Sequence, residues 1–260
     1  MKLNGLLLQF GLKLTYPIFY LGEWNKRIIV YNVGNKAKFE LRVNTSDKLT
    51  ILETWKTKSY IDGNFNIKKD DVVVDIGANI GAFSILAAKT AINGRVFAYE
   101  ANKENYDLLL KNKALNNLNN LSVFNLAIAG KKGHINLFIS KLNDGAHSIY
   151  ETESNDCIKV KSITLKDIFS MNKLRKVNYL KIDAEGAEYD ILLNAPADAI
   201  RKVDKMVLEY HDYFNNAHKY HELKEYLEKN GFKVKIGKNA LIRKIFRIGM
   251  IKAKNRYVGK

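Results

Sequence analysis

The segment Asp75–Gly81 has residue types and a spacing that can hold a small ligand against a tight turn. It reads Asp-Ile-Gly-Ala-Asn-Ile-Gly and follows the β-branched run Val72–Val74, which is typical of a strand buried on both faces. Glycines let the backbone turn sharply and approach a ligand without interference from a Cβ atom. Because ligands of parallel sheets bind at the carboxyl ends of strands, this turn is the first candidate site.

The chemistry of the turn favours a cationic ligand over a pyrophosphate. Between Gly77 and Gly81 the pattern is Gly-x-Asn-x-Gly, whereas dinucleotide-binding dehydrogenases carry Gly-x-Gly-x-x-Gly. The carboxylate of Asp75, at the tip of the strand, suits the amino group or the sulfonium of S-adenosylmethionine and would repel a pyrophosphate. The turn therefore predicts S-adenosylmethionine as the cofactor. A nicotinamide-dependent oxidoreductase is the alternative from another class of enzyme.

Glu100 is the second candidate for ligand binding. It ends the predicted strand Arg95–Tyr99, a place from which an acid can accept hydrogen bonds from both hydroxyls of a ribose. Nicotinamide enzymes share this feature, so Glu100 predicts an adenosine-type ligand without distinguishing the two cofactors. The alternative is that Glu100 is a solvated residue at the start of the next helix.

Acidic side chains and one imidazole at the ends of two later strands are candidates for catalysis. Asp183, Glu185 and Glu188 come at the end of one predicted strand, and Glu209 and His211 at the end of the next. Such groups can act as a general base or form an oxygen-rich metal site. We predict Asp183, Glu209 and His211 as catalytic residues that help a hydroxyl lose its proton. A divalent cation held by the same carboxylates is the alternative; the metal-free mechanism is preferred, so no metal ligand is predicted.

The polar loop Asn143–Asp156 is a candidate wall of the pocket for the methyl acceptor. His147 and Ser148 in this loop, together with Glu185, are predicted to bind the substrate. The alternative is that the loop is a flexible hairpin tip.

The elements that position these residues alternate between strands and helices from residue 70 onward. This β-α-β-α-β order predicts a parallel, doubly wound sheet in an α/β fold. The predicted strands are Val72–Asp75, Arg95–Tyr99, Ser122–Leu126, Asn178–Asp183 and Lys205–Tyr210, and the predicted helices are Ala82–Thr90, Asn102–Asn116, Thr164–Ser170, Ala187–Asn194 and Ala217–Lys229. The runs Phe232–Ile236 and Met250–Lys254 are expected to close the sheet as an antiparallel pair.

The residues before this alternating region predict an N-terminal extension that covers one edge of the main domain. Arg27–Tyr31 and Lys38–Val43 have the composition of strands, and Thr50–Lys56 that of a helix. We therefore divide the chain into an extension, residues 1–60, and a main domain, residues 61–260. The stretch Leu6–Leu21 is expected to form an amphipathic helix on the domain, with a membrane-surface anchor as the alternative.

The net charge of +16 raises the question of an acidic partner. Much of the excess lies between Lys233 and Lys260, where ten residues are basic and none is acidic. Lysine dominates, whereas bidentate contacts to bases and phosphates favour arginine, so nucleic acid is not predicted as a partner. The basic amphipathic segment Leu241–Ile248 is instead expected to allow peripheral contact with acidic lipid headgroups. The lone Cys157 excludes an internal disulfide and a cysteine zinc cluster, which favours a cytoplasmic protein.

Several of these segments together resemble the FkbM family of methyltransferases. The resemblance rests on Val72–Gly81, on Glu100, on Leu180–Glu188 and on Val207–Glu209, and it extends over roughly residues 40–254. The run Lys-Ile-Asp-Ala-Glu-Gly-Ala-Glu is more specific to the family than the glycine turn. The resemblance also includes residues before the glycine turn, namely Arg42, the segment Thr45–Asp47 and Tyr60.

The resemblance implies a class I Rossmann-like methyltransferase fold and transfer of a methyl group to oxygen. Typical acceptors are hydroxyls of a sugar, a glycan or a natural product, and Asp183, Glu185 and Glu209 are expected near the acceptor. The residues predicted to bind the cofactor are Tyr60, Asp75, Gly77, Ala78, Asn79, Gly81, Glu100, Ala101 and Ala127. Methylation of an RNA 2′-hydroxyl stays open as an alternative because of the basic tail, and so does an inactive binding module that keeps the fold.

Overall fold

A seven-stranded sheet forms the centre of the computed structural model, which describes residues 28–139, 148, 156–212, 219–237 and 247–257. In spatial order the strands are β11 (Phe232–Ile236), β12 (Ile248–Asn255), β10 (Val203–His211), β9 (Val177–Ile182), β3 (Val72–Ile76), β4 (Arg95–Tyr99) and β5 (Leu121–Phe124). Strands β10, β9, β3, β4 and β5 are parallel, and β12 is antiparallel to both of its neighbours. This arrangement confirms the predicted doubly wound, mostly parallel sheet and its antiparallel C-terminal pair.

The central strands are buried on both faces, as their apolar runs predict. In β3, Val73 and Val74 point to opposite sides of the sheet and belong to two different apolar clusters. In β9 the same alternation separates Tyr179 from Leu180. Each of these four side chains has no exposed surface. A parallel sheet needs this double burial because helices cover both of its faces.

The helices lie between the strands, and all but the short helix Ala197–Ile200 overlap segments that the sequence predicts as helical. They are α1 (Asp47–Leu52), α2 (Ala82–Thr90), α3 (Lys103–Leu115), α4 (Leu165–Met171), α5 (Glu188–Leu193), α6 (Ala197–Ile200) and α7 (Tyr220–Lys229). Helix α1 continues into a π-helical turn, Glu53–Thr57. Helix α4 begins with a reciprocal cap, in which Thr164 accepts from the Asp167 N–H and Asp167 accepts from the Thr164 N–H.

Two smaller sheets flank the main one. The hairpin β1 (Ile28–Val33) and β2 (Ala37–Arg42) is antiparallel. A three-stranded sheet has the order β6 (Ala127–Ile128), β8 (Cys157–Ile163), β7 (Gly133–Phe138), with β8 parallel to β6 and antiparallel to β7. The two strands that flank residues 140–155 along the chain, β7 and β8, are thus paired with each other.

The described part of the N-terminal extension packs against the α2–α3 side of the sheet. Phe39 and Ile51 have no exposed surface and belong to the same apolar cluster as Val73. The buried guanidinium of Arg42 binds Asp47 at 2.8 Å and donates to Asn105 of α3 at 2.7 Å. The division of the chain at residue 60 stays a prediction.

Two predicted surface segments fall largely outside the described residues. The stretch Leu6–Leu21 lies wholly outside them, as do residues 241–246 of the basic segment Leu241–Ile248. Among the helices that the structure does describe, none combines the length and the apolar character needed to cross a bilayer.

Candidate active site

The candidate site lies where the carboxyl ends of β4, β3, β9 and β10 meet at one edge of the sheet. The chain passes from β3 to β4 on one side and returns to β9 on the other side of β3. Such a change of direction opens a crevice at the strand ends, where α/β sheets bind ligands. The edge brings together the turn after β3, Glu100 after β4, Asp183 after β9, and Glu209 and His211 in the last residues of β10.

The glycine turn after β3 leaves no room for a side chain at either of its glycines. Gly77 has φ of 74°, and a Cβ atom there would lie 1.8 Å from the carbonyl oxygen of Asp183. Gly81 has φ of 92°, and its Cβ would lie 2.2 Å from Leu109 Cδ1. The N–H groups of Gly77 and Ala78 both donate to the Tyr99 carbonyl at 3.0 Å. The turn is therefore held tightly between the ends of β4 and β9.

Glu100 binds the backbone of the turn and of the following helix start. Its two carboxylate oxygens accept from the N–H of Asn79 at 2.7 Å and from the N–H of Asn102 at 2.8 Å. Burial raises the pKa of Glu100 above its ordinary value, and the two backbone donors partly oppose this effect. A carboxylate oxygen can accept more than one hydrogen bond, so the same group can also receive ribose hydroxyls.

Asp75 is enclosed. Its side chain has no exposed surface, and its Oδ2 atom accepts from the Ser84 hydroxyl at 2.5 Å. Its Oδ1 atom lies 3.1 Å from Nζ of Lys181. The charge of Asp75 is thus balanced within the protein, and the direct contact between Asp75 and the cofactor stays a prediction.

Lys181 connects the glycine turn with the acidic side chains beside it. Its Nζ atom donates to the Gly77 carbonyl at 2.7 Å and lies 3.8 Å from Asp183. Burial lowers the pKa of Lys181, but the charges of Asp75 and Asp183 outweigh burial and hold the pKa above its ordinary value. Sequence reasoning did not single out this residue, although a lysine between Leu180 and Ile182 in a buried strand was an available signal.

Tyr60 lies beside the acids predicted for the acceptor. Its hydroxyl donates to Asp183 Oδ2 at 2.8 Å and lies 3.4 Å from Glu209 Oε2. Asp183 keeps 23% of its side-chain surface exposed, whereas Tyr60 and Glu209 are buried. Both partners of the Tyr60 hydroxyl are acids that the sequence predicts near the acceptor. Contact between Tyr60 and the cofactor therefore stays a prediction.

His211 is a buried cation between two carboxylates. Its Nδ1 atom lies 3.2 Å from Glu188 Oε1, and its Nε2 atom lies 3.5 Å from Glu185 Oε2. Burial lowers the pKa of His211, but the carboxylates of Glu185, Glu188 and Glu209 outweigh burial and raise the pKa to about 10. A protonated imidazole does not accept a proton, so the raised pKa disfavours His211 as a general base at neutral pH. The catalytic roles of Asp183, Glu209 and His211 stay predictions.

Glu188 holds the turn that follows β9. Its oxygens accept from the N–H groups of Ala184 at 2.8 Å and Gly186 at 3.0 Å, and its side chain has no exposed surface. Asp183, Glu188 and His211 offer ligand atoms within 4.8 Å of one another. In this structure Glu188 accepts from two backbone N–H groups and His211 lies between two carboxylates, and these contacts hold the group together.

The other predicted residues are divided between the described part of the chain and the rest. Ser148 is buried, and its hydroxyl donates to the Glu185 carbonyl at 2.6 Å, so it supports the turn that carries Glu185. His147 lies outside the described residues. Ala101 follows Glu100 directly and is half-buried, and Ala127 is buried in β6.

Comparison with known proteins gives a family match over the whole of this edge. A sequence model of the family described as Methyltransferase FkbM domain matches residues 75–234, which is more than half of the chain. The chain is 24% identical to the hexuronic acid methyltransferase AglP of Haloferax volcanii, over 55% of this chain and 57% of AglP. It is 27% identical to the antimetabolite synthetase AmbE of Pseudomonas aeruginosa, over 66% of this chain and 10% of AmbE. The chain thus spans only part of the length of these curated relatives.

A similar solved structure is TYW2 of M. jannaschii in complex with AdoMet. It is 19% identical, with a TM-score of 0.48, and the superposition covers 90% of this chain and 89% of that chain.

Proposed function

The chain belongs to the FkbM methyltransferase family, and we propose that it methylates a hydroxyl of a sugar, a glycan or a related small molecule. As a member of this family it is a methyltransferase that uses S-adenosylmethionine. The observation that carries the proposed acceptor chemistry is the pair of carboxylates, Asp183 and Glu209, next to the cofactor turn and joined through the Tyr60 hydroxyl.

The residues at the turn fit S-adenosylmethionine. Glu100 has acceptor capacity for the ribose hydroxyls in addition to its backbone bonds. A Cβ at Gly77 would collide with the neighbouring strand end, so the turn keeps its shape only with glycine there. When bound, S-adenosylmethionine supplies an electrophilic methyl group on a sulfonium. The chain's task is then to place an acceptor oxygen in line with that group and to take its proton.

Asp183 is the residue best suited to take the proton of the acceptor hydroxyl. It is the more exposed of the two candidate carboxylates, with 23% of its side-chain surface accessible, whereas Glu209 is 9% exposed. Lys181 lies 3.8 Å away and stabilises its ionised form, which is the form that accepts a proton. In this mechanism Asp183 takes the proton of the acceptor hydroxyl, and Glu209 supports the same hydrogen-bond network. The cofactor would supply the methyl group, its carbon–sulfur bond breaking as the carbon–oxygen bond forms, and would leave as S-adenosylhomocysteine.

The acceptor class is proposed on two grounds. A hydroxyl has a high pKa and needs a general base, and carboxylates meet that need at this edge. AglP, a distant relative, carries the name of a hexuronic acid methyltransferase, which supports a sugar as the acceptor.

A methyl-transfer assay with labelled S-adenosylmethionine tests the proposal. The acceptors are methyl glucoside, methyl glucuronide and a short RNA, and transfer is followed by mass spectrometry of the products. We expect methylation of a sugar and a loss of about 100-fold or more in Asp183→Asn, the size of a general-base contribution. Glu225→Gln on helix α7 serves as the control variant and should keep full activity. Methylation of RNA alone, or equal rates in wild type and Asp183→Asn, would contradict the proposal.

A further inference from the structure

Tyr60 reaches the active-site edge from a segment that precedes the matched family region. The family match begins at residue 75, whereas Tyr60 follows the π-helical turn Glu53–Thr57 and Lys58, which has φ of 52°. The matched region therefore does not contain all the side chains that contact the acceptor-side acids.

The side chain of Tyr60 is fixed on several sides. Its ring packs edge-on against Phe83, with centroids 5.6 Å apart and planes at 71°, and Nζ of Lys181 lies 5.3 Å from the ring centroid. The Tyr179 hydroxyl donates to the Tyr60 carbonyl from the neighbouring strand β9. The ring is 7% exposed, so the hydroxyl has little freedom to leave Asp183.

The Tyr60 hydroxyl acts as a donor. Burial, together with the charges of Asp183 and Glu209, raises the pKa of this hydroxyl well above its ordinary value. It therefore keeps its proton at neutral pH and donates a hydrogen bond to Asp183 at 2.8 Å. A hydrogen bond from a buried donor to a carboxylate fixes the orientation of the carboxylate as well as its charge.

We propose that Tyr60 is a positioning residue that holds Asp183 in the orientation needed to take the proton of the acceptor hydroxyl. The proposal rests on the proposed function. It follows that the N-terminal segment that carries Tyr60 is also part of the active site. The described partners of the Tyr60 hydroxyl are the two acids, so we expect its removal to lower kcat more than it weakens the binding of S-adenosylhomocysteine.

The experiment compares Tyr60→Phe with Tyr226→Phe in the full chain. Both variants lose one tyrosine hydroxyl that donates a hydrogen bond, but Tyr226 donates to the Ala195 carbonyl, away from the site. For Tyr60→Phe we expect kcat to fall about tenfold to hundredfold, as for a lost hydrogen bond to a charged group, with the Kd for S-adenosylhomocysteine changed less than about twofold. Tyr226→Phe should leave both quantities unchanged. An unchanged kcat in a folded Tyr60→Phe would overturn the proposal.

A double variant separates positioning from a general structural role. If Tyr60 acts through Asp183, then Tyr60→Phe costs little further activity in an Asp183→Asn background, whereas an independent effect would multiply. Multiplying effects would overturn the proposal. If Tyr60→Phe does not fold, Tyr179→Phe replaces it, because this change removes the hydrogen bond to the Tyr60 carbonyl. It should also lower kcat, without weakening S-adenosylhomocysteine binding.

The two proposals fail in different ways. A wild-type protein that binds S-adenosylhomocysteine but methylates neither methyl glucoside nor methyl glucuronide contradicts the proposed acceptor class, and the role of Tyr60 falls with it. A wild-type protein that methylates a sugar, with Tyr60→Phe equally active, contradicts the role of Tyr60 alone.

Discussion

Nζ of Lys181 lies 3.1 Å from Oδ1 of Asp75, and both side chains are buried. The pair joins two strands, β9 and β3, under the turn that carries Gly77. Lys181 also donates to the Gly77 carbonyl. The lysine that neutralises Asp75 in the core therefore also holds the glycine turn in its shape. Removing either partner leaves the other charged and buried, which costs more than the pair contributes.

The first prediction concerns this buried pair. Lys181→Met should lower the free energy of unfolding by about 3–5 kcal/mol, because Asp75 is left buried without its cation. Adding Asp75→Asn to this variant should recover part of the loss. Urea unfolding measures both values. Lys176→Met is the control, since Lys176 pairs with Asp204 at the surface at 3.6 Å, and its loss should cost no more than about 1 kcal/mol. Equal costs in the two lysine variants would contradict this account.

The second prediction concerns Gly77. Gly77→Ala should abolish S-adenosylhomocysteine binding, because the added Cβ would lie 1.8 Å from the Asp183 carbonyl and force the two strand ends apart. Gly34 offers a matched control, since it has φ of 53° and no atom lies within 4 Å of the position that a Cβ would occupy there. Gly34→Ala isolates the cost of positive φ, roughly 1 kcal/mol, from the cost of the collision. Calorimetry with S-adenosylhomocysteine on both variants distinguishes these two costs. Tight binding by Gly77→Ala would contradict the role of the turn.

Helix α2 and strand β4 have the bounds that the sequence predicts, Ala82–Thr90 and Arg95–Tyr99. Local signals suffice there, since the glycine of a turn precedes α2 and an apolar run makes up most of β4. The sequence predicts Asp183 within a strand, but β9 ends at Ile182 and Asp183 begins the turn. Strand ends depend on which neighbour supplies the next ladder bond, and local sequence does not contain that information.

The partners of the site residues were harder to predict than the residues themselves. The acids and the histidine stood out by type and position, but the bond from Tyr60 to Asp183 joins residues 123 positions apart. The protonation of His211 likewise follows from Glu185 and Glu188 lying on both sides of one ring. Such contacts are set by the crossing of strands and turns, so they follow from the fold and not from spacing along the chain.

The third prediction concerns Glu100. Glu100→Ala should weaken S-adenosylhomocysteine binding by roughly 1.5–3 kcal/mol, the range for hydrogen bonds to a charged group. The variant also removes the acceptor of the Asn79 N–H, so the turn itself should loosen. Calorimetry measures the loss. Glu104→Ala, on the exposed start of helix α3, should bind as tightly as the wild type. Unchanged binding in Glu100→Ala would show that the ribose is held elsewhere.

The fourth prediction concerns the charge of His211. The folded state raises the pKa of this imidazole from 6.5 to about 10, so it binds a proton that the unfolded chain releases near pH 6.5. The stabilisation is fully present below pH 6.5 and is lost as pH rises toward about 10. Urea midpoints across this range should therefore fall more steeply in the wild type than in His211→Gln. Parallel curves for the two proteins would mean that His211 is not held as a cation.

The last prediction concerns the acidic cluster and metal ions. Asp183, Glu188 and His211 could in principle surround a cation, since their ligand atoms lie within 4.8 Å of one another. A divalent metal needs a neutral imidazole. Here the carboxylates of Glu185 and Glu188 lie on both sides of the ring and raise its pKa to about 10, so the imidazole carries a proton at neutral pH. Methyl transfer should therefore be unchanged after exhaustive treatment with a chelator, and added Mg²⁺ or Mn²⁺ should not increase it. Loss of activity with the chelator and its recovery with one metal would replace the general-base mechanism with one in which the cation lowers the pKa of the hydroxyl.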